Sequence, residues 1–115
     1  MNITLLYNMI GGNASDAASR LGGEEYAKKF VKKFSGDKTF ENLKNAMENG
    51  NADEAFRAAH TLKGLAATLG FENLRAASSE LTEILRKKTF DGAGVAFKAV
   101  EKEYLVVISA ISELD

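Results

Sequence analysis

The sequence predicts an all-α fold, an antiparallel up-down four-helix bundle with one or two short extra helices at its N-terminal end. Apolar residues recur three and four positions apart along most of the chain, which is the period of an amphipathic helix, and no strand-like alternation competes with this pattern. Glycines interrupt the pattern at intervals, and proline is absent. Because tight turns join consecutive amphipathic helices, neighbouring helices are expected to run antiparallel.

Capping residues and glycines divide the chain into seven helical segments. Asn51 can cap a helix N-terminus, with Glu54 at the capping-box position. Gly70 suits a helix C-terminus because glycine adopts the left-handed conformation without steric penalty. In the last segment, Val95 or Ala96 is the first residue expected to face inward. The expected bounds of the segments are close to 3–10, 13–22, 24–34, 38–50, 51–70, 71–88 and 95–114.

Length and composition are those of an ordinary globular protein with one core. The 115 residues are 45% hydrophobic and 27% charged, which is too apolar and too balanced in charge for a disordered chain. The net charge of −1 argues against a nucleic-acid binder, because such proteins usually carry a basic excess. We therefore expect a single helical domain over residues 1–115, acting as a monomer and without a nucleic-acid partner.

Three features of the sequence bear on its location. There is no cysteine, which excludes disulfides and thiolate metal sites and favours a reducing compartment. The N-terminal residues lack the basic flank and apolar run of a signal peptide. No stretch reaches the roughly 18 consecutive apolar residues of a membrane span. A cytoplasmic protein without a membrane partner is expected.

The segment 51–70 contains the only histidine of the chain, His60. At about 100° per residue, the apolar positions of this helix share one face, and His60 falls on the opposite face. Its neighbours one turn along the helix include Lys63 at i+3 and Gly64 at i+4. The face expected in the core consists of Ala55, Ala59, Leu62, Ala66 and Leu69.

Gly64 is the informative position in this helix. A glycine inside a helix costs about 1 kcal/mol relative to alanine, and the apolar stripe continues past it, so the pattern requires no break there. A missing side chain at this position would uncover the imidazole of His60 to a phosphoryl group, whose charge Lys63 could offset. An ordinary surface histidine and a glycine that serves packing are the alternative interpretations, and residue chemistry alone leaves them open.

The string Ala59-His60-Thr61-Leu62-Lys63-Gly64, followed by Gly70-Phe71, resembles the signature of the histidine phosphotransfer (HPt) family. The similarity extends over about residues 24–88. The resemblance implies that His60 accepts a phosphoryl group from the aspartate of a receiver domain and passes it to another receiver. It also implies that Lys63 steadies the phosphate and that Gly64 provides steric clearance.

The sequence departs from the family pattern on the next helix. Many HPt members have Gln or Glu there, facing and orienting the imidazole. A count across the turn at Gly70 places Thr82 at that height, with Ser79 and Arg86 on the same stripe. The short hydroxyl of Thr82 is therefore the candidate for imidazole orientation.

The resemblance also implies the partners and the cofactor requirement. The partners are response-regulator receiver domains and hybrid sensor kinases, and the chain needs no cofactor because the receiver supplies Mg²⁺. Since there is neither a Gly-rich nucleotide loop nor a second histidine, we expect no ATP-dependent kinase activity. The chain would be a phosphotransfer intermediate rather than a true enzyme.

The docking surface is expected around the histidine. Phe56 lies at the boundary of the core stripe, where it is either half-buried packing or an apolar anchor for a partner helix. The surrounding residues are mostly small, which suits a weak and transient contact. The expected docking residues are Phe56, Arg57, Thr61, Ala67 and Thr68.

Two other classes of function compete with phosphotransfer. The same bundle could be a non-catalytic adaptor that binds signalling partners, with His60 incidental, but an adaptor would not require Lys63 and Gly64. A helical-bundle metal enzyme is disfavoured, because such a site needs several inward ligands and the chain has one histidine and no Glu-x-x-His pair. No metal site is expected.

Overall fold

The computed structural model of the protein describes residues 1–115, and it contains helices and turns but no strand. The all-α class is confirmed. The structure has seven helices, whereas a four-helix bundle with one or two extra helices has at most six. None of the helices is long and apolar enough to cross a membrane. The helices are α1 (Ile3–Ile10), α2 (Ala14–Leu21), α3 (Glu24–Phe34), α4 (Thr39–Glu48), α5 (Ala52–Leu69), α6 (Glu72–Arg86) and α7 (Ala93–Ser112).

Side-chain caps begin three of the helices. Asn2, Asn13 and Asn51 each accept a hydrogen bond from the backbone N–H three residues further on, at 2.9, 2.9 and 3.1 Å. These bonds satisfy N–H groups that have no partner within the helix. At the other end of α5, Gly70 takes a left-handed φ of 77°. The bounds of α5 therefore agree with the prediction.

The site helix, α5, packs between two neighbours. It contacts α4 on one side and α6 on the other, and α6 contacts α7. Stacked aromatic rings join α7 back to α4, because the Phe40 centroid lies 5.8 Å from that of Phe97 and 4.1 Å from that of Tyr104. One continuous core results. The face predicted for the core is buried throughout: Ala55, Ala59, Leu62, Ala66 and Leu69.

The start of α7 differs from the expected one. The helix begins at Ala93, directly after Gly92, which has a left-handed φ of 82°. Gly94, which was expected in the turn, thus lies in the first turn of the helix. Ala96 is buried whereas Val95 is 80% exposed. Of the two candidates for the inward position, Ala96 is the correct one.

A contact between two turns fixes α1 and α2 to the end of α5. The Tyr7 hydroxyl donates a hydrogen bond to the Leu69 carbonyl oxygen, and the Glu72 N–H donates to the Gly11 carbonyl oxygen at 2.9 Å. A Cβ atom on Gly12 would lie 2.2 Å from the Gly70 carbonyl oxygen. The turns approach this closely only because residue 12 has no side chain.

Candidate functional site

The middle of α5 presents His60 to solvent. The residue before it, Ala59, and the second residue after it, Leu62, are fully buried. Helical geometry therefore turns the His60 side chain away from the core, and this side chain is exposed. The imidazole is accessible to a partner molecule.

Phe56, one turn before His60, packs against the imidazole. The two rings are stacked, with centroids 5.9 Å apart and planes at 12°. Phe56 is half-buried and packs on the core, so its ring has a supported position. Because the Phe56 ring covers one face of the imidazole, the stack restricts the orientation of the His60 ring. Phe56 is thus half-buried packing, as one of its two interpretations expected, and also a wall of the site.

Lys63 supplies an uncommitted positive charge one turn after His60. Its side chain is half-buried, and it takes part in none of the ion pairs of the structure. Arg57, one turn before His60, has its guanidinium 3.1 Å from the Glu54 carboxylate. Of these two cations on α5, only Lys63 can meet a new anion without leaving a partner.

Gly64 leaves open space beside the histidine. A Cβ atom built at this position would meet nothing within 4 Å apart from its chain neighbours and the backbone of its own helix, and the residue is exposed. No neighbouring helix requires a glycine there, so the packing interpretation of this residue is wrong. Access to the imidazole remains as a physical reason to accept the cost of about 1 kcal/mol for a glycine inside a helix.

Thr82 does not face the imidazole. Its side chain is fully buried, and its hydroxyl donates a hydrogen bond of 2.7 Å to the Ser78 carbonyl oxygen of the same helix. The expectation that Thr82 orients the ring is therefore corrected. One residue corresponds to about 100° of rotation on a helix, which separates the core face from the face towards His60.

Glu83, on α6, is a residue of this site that the sequence pattern did not predict, and its hydrogen-bonded partner Arg86 lies over the Phe56 ring that stacks on His60. A hydrogen bond from Arg86 is the main cause that lowers the pKa of the Glu83 carboxyl below its ordinary value; desolvation opposes it, and smaller electrostatic effects of Arg86, Lys63 and His60 also lower this pKa. Glu83 therefore lies within electrostatic reach of both His60 and Lys63. The acidic residue beside Thr82 and the Glu-x-x-Arg spacing were the available signals in the sequence.

Arg86 connects Glu83 back to the histidine. Its guanidinium donates hydrogen bonds of 3.1 to 3.2 Å to the Glu83 carboxylate. The guanidinium carbon also lies 5.0 Å from the centroid of the Phe56 ring, which is a cation–π distance. Because Phe56 stacks on His60, the four side chains form one contiguous group. We name it the imidazole cluster: His60, Phe56, Glu83 and Arg86.

Two grooves flank the exposed face of α5. The first is apolar, about 650 Å³ in volume, and runs between α3 and α5 beside Gly64. The second, between α4 and α5, is polar, about 390 Å³ in volume, and rich in asparagine. The apolar groove is lined by Leu21, Phe30, Lys33, Phe34, Asp37, Thr61, Gly64, Leu65, Thr68 and Leu69.

The expected docking residues fall on different parts of this surface. Thr61 lines both grooves, Thr68 lines the apolar groove, and Arg57 lines the polar one. Phe56 belongs to the imidazole cluster, and Ala67 is half-buried outside both grooves. The expected docking residues therefore do not share a single groove.

A comparison with protein families identifies the family of the chain. A model of the Hpt domain family matches residues 34–111, which is more than half of the chain and includes the site helix. The match also includes most of α7, beyond the range of the sequence resemblance. No curated protein and no solved structure matches the chain. The chain therefore belongs to the Hpt domain family, whose function is histidine phosphotransfer in two-component phosphorelays.

Proposed function

We propose that this protein is a phosphorelay carrier, which accepts a phosphoryl group on His60 from a receiver aspartate and passes it to another receiver. One observation carries the proposal. The exposed imidazole has an unpaired cation, Lys63, one turn away, and open space at Gly64 that no internal packing requires. An adaptor surface has no use for this combination.

The transfer exchanges one bond to phosphorus for another. An unprotonated imidazole nitrogen of His60 attacks the phosphorus of the aspartyl phosphate. The N–P bond forms as the P–O bond breaks, and the electron pair of that bond leaves with the aspartate carboxylate. Delivery to the next receiver reverses these changes. In-line positioning and charge neutralisation suffice for such a reaction, and the Phe56 stack and Lys63 provide them on this side.

The side chains around His60 do not fit a Mg²⁺ site. Lys63 carries a positive charge nearby, and the Glu83 carboxylate is hydrogen-bonded to Arg86, so His60 is not part of a group of several carboxylate ligands. Mg²⁺ prefers several oxygen ligands in octahedral geometry. We therefore propose that any Mg²⁺ in the transfer belongs to the receiver, and we assign no step of this chain to a metal.

We propose that receivers, including those of hybrid sensor kinases, dock on the apolar groove. The groove reaches Gly64, so a partner seated there would place its reactive aspartate beside His60. Phe30, 40% exposed on its rim, offers apolar surface that association would bury. A groove of this size suits a transient contact. A monomeric state and a cytoplasmic location stay predictions.

We also propose that α4 to α7 form the predicted up-down bundle, with α1 to α3 as additions. Successive contacts from α4 through α7 support this arrangement. The stacking of Phe40 on Phe97 and Tyr104 supports closure of the bundle between its first and last helices.

The test uses purified receiver domains phosphorylated by acetyl phosphate. Incubation with the protein should give an acid-labile, alkali-stable phosphoprotein, because a phosphoramidate differs in this way from an aspartyl phosphate. His60→Gln should abolish labelling and keep the circular dichroism of the wild type, since residue 60 is exposed. If a panel of receivers binds both proteins equally and labels neither, the adaptor function is correct instead.

A further inference from the structure

The cations around His60 differ in whether they have an ion-pair partner. Arg57 and Arg86 each have a carboxylate partner on their own helix, at 3.1 Å in both cases, whereas Lys63 has none. Glu83 is linked to His60 by contacts, because it accepts hydrogen bonds from Arg86, whose guanidinium carbon lies 5.0 Å from the centroid of the Phe56 ring that stacks on the imidazole, and it is within electrostatic reach of His60 and Lys63. A phosphoryl group on His60 would therefore arrive next to an existing negative charge.

We propose that the Glu83 carboxylate biases the relay towards delivery of phosphate to a receiver. It does so by opposing the neighbouring cations, which stabilise the phosphorylated state of His60. This role presupposes the proposed transfer through His60. It acts on the equilibrium between phosphorylated carrier and phosphorylated receiver, with the same bonds formed and broken as in the transfer itself. Glu83 is a positioning and electrostatic residue rather than a catalytic one.

Two effects of the Glu83 charge have the same sign. A phosphoryl group of nearly two negative charges is repelled by the carboxylate. The carboxylate also holds Arg86 by hydrogen bonds, so this cation is less available to the phosphate. Each effect disfavours phosphate on the carrier and favours its release to a receiver.

Arg86 has the opposite effect. It neutralises much of the Glu83 charge, and its guanidinium over Phe56 is itself a cation near the ring that stacks on His60. Loss of Arg86 would leave the Glu83 carboxylate without its hydrogen-bonded partner. The phosphorylated state should then become less favourable still.

The chain offers a matched control on the same helix. Glu72 and Arg75 form an ion pair of the same i, i+3 spacing, with Arg75 Nε 3.0 Å from a Glu72 carboxylate oxygen. This pair lies at the first turn of α6, whereas Glu83 and Arg86 lie in its last two turns. All four side chains are at least about one-third exposed, so the substitutions should not disturb the core.

The experiment measures the equilibrium distribution of phosphate between the carrier and a receiver domain that exchanges with the wild type. At low ionic strength, Glu83→Gln should shift the distribution about three- to tenfold towards the carrier, and Arg86→Gln should shift it similarly towards the receiver. Glu72→Gln should leave it unchanged. Because exposed charges are screened by salt, both shifts should shrink at about 1 M salt.

The pattern of results separates the possible outcomes. If Glu83→Gln and Arg86→Gln shift the equilibrium in the same direction, or if Glu83→Gln has no effect, the pair is only structural and the inference is wrong. A wild-type protein that exchanges phosphate in this assay keeps the proposed function intact in either case. Failure of the wild type to accept phosphate on His60 would instead overturn the proposed function.

Discussion

At the scale of single residues, the site depends on what is absent as much as on what is present. Gly64 contributes no side chain, and Lys63 has no ion-pair partner. A phosphoryl group can therefore reach His60 and meet a cation without breaking an existing interaction. Phe56, one turn before His60 and thus on the opposite side from Gly64, restricts the orientation of the imidazole ring.

Gly64→Gln should separate stability from transfer. Glutamine is a better helix former than glycine, so unfolding should cost up to about 1 kcal/mol more. The new side chain would occupy the approach to His60, and the rate of transfer should fall about tenfold or more, because misplacement of the reacting groups is costly. Urea denaturation and single-turnover labelling by a phosphorylated receiver measure the two effects.

Gly94→Gln is the matched control for this substitution. Gly94 is also exposed in a helix, and an added Cβ there would meet nothing within 4 Å apart from its chain neighbours and its own helix backbone, but it lies in α7. Its replacement should leave the rate of transfer unchanged. If Gly64→Gln also transfers at the wild-type rate, the clearance role of Gly64 is wrong.

At the scale of helices, the turn between α5 and α6 brings these two helices side by side at the site. The Phe71 N–H donates a hydrogen bond of 2.8 Å to the Ala66 carbonyl oxygen, which closes the helix end at Gly70. This turn brings α6 back alongside α5, and the packing of the core sets the rotation of α6 relative to α5. As a result Glu83, not Thr82, lies near His60.

Gly12→Ala should weaken the attachment of α1 and α2 to this turn. The added methyl group would lie 2.2 Å from the Gly70 carbonyl oxygen, so the two backbone segments must separate. We expect a loss of about 1–3 kcal/mol in the free energy of unfolding, the usual range for overpacking. Urea denaturation measures it, with Gly94→Ala as a control that should be neutral or stabilising. Equal stability of the two variants would show that the turns are not held together.

At the scale of the whole molecule, Tyr7 joins the N-terminal helices to the bundle through its hydrogen bond to the Leu69 carbonyl oxygen. The ring is fully buried. Burial raises the pKa of Tyr7 to about 12, and the nearby charge of Arg20 opposes this effect only in part. The folded protein therefore keeps the Tyr7 proton at pH values at which the unfolded chain loses it.

This pKa predicts a loss of stability in alkali. The contribution of the protonated Tyr7 to the free energy of unfolding is fully present below about pH 10, the ordinary pKa of tyrosine, and is lost as the pH rises towards 12. Over this interval the loss reaches about 2–3 kcal/mol, since each pKa unit corresponds to about 1.4 kcal/mol. Tyr104, whose pKa is raised by burial and by the charges of Asp37 and Glu41, acts in the same direction.

Urea denaturation between pH 8 and 12 tests this prediction with Tyr7→Phe. The variant should be about 1 kcal/mol or more less stable at pH 8, because the Leu69 carbonyl loses its buried donor. It should then lose less stability in alkali than the wild type. Tyr26→Phe, at an exposed position, should follow the wild-type profile. Parallel profiles for wild type and Tyr7→Phe would contradict the role of Tyr7.

Much of the fold followed from local patterns in the sequence. The helical period, the asparagine caps and Gly70 predicted the bounds of α5, and the same period placed His60 on its exposed face. Such features depend on residues within a few positions of one another. Local geometry is therefore enough to predict them.

The contacts between helices were decided only by the tertiary structure. Counting along the chain placed Arg86 on the stripe of α6 towards the site, but it chose Thr82 over Glu83 and could not reveal that α3 borders a groove at Gly64. These features depend on the rotation of one helix against another, where one residue changes the direction by about 100°. Packing of the whole core sets that rotation, and no short stretch of sequence contains it.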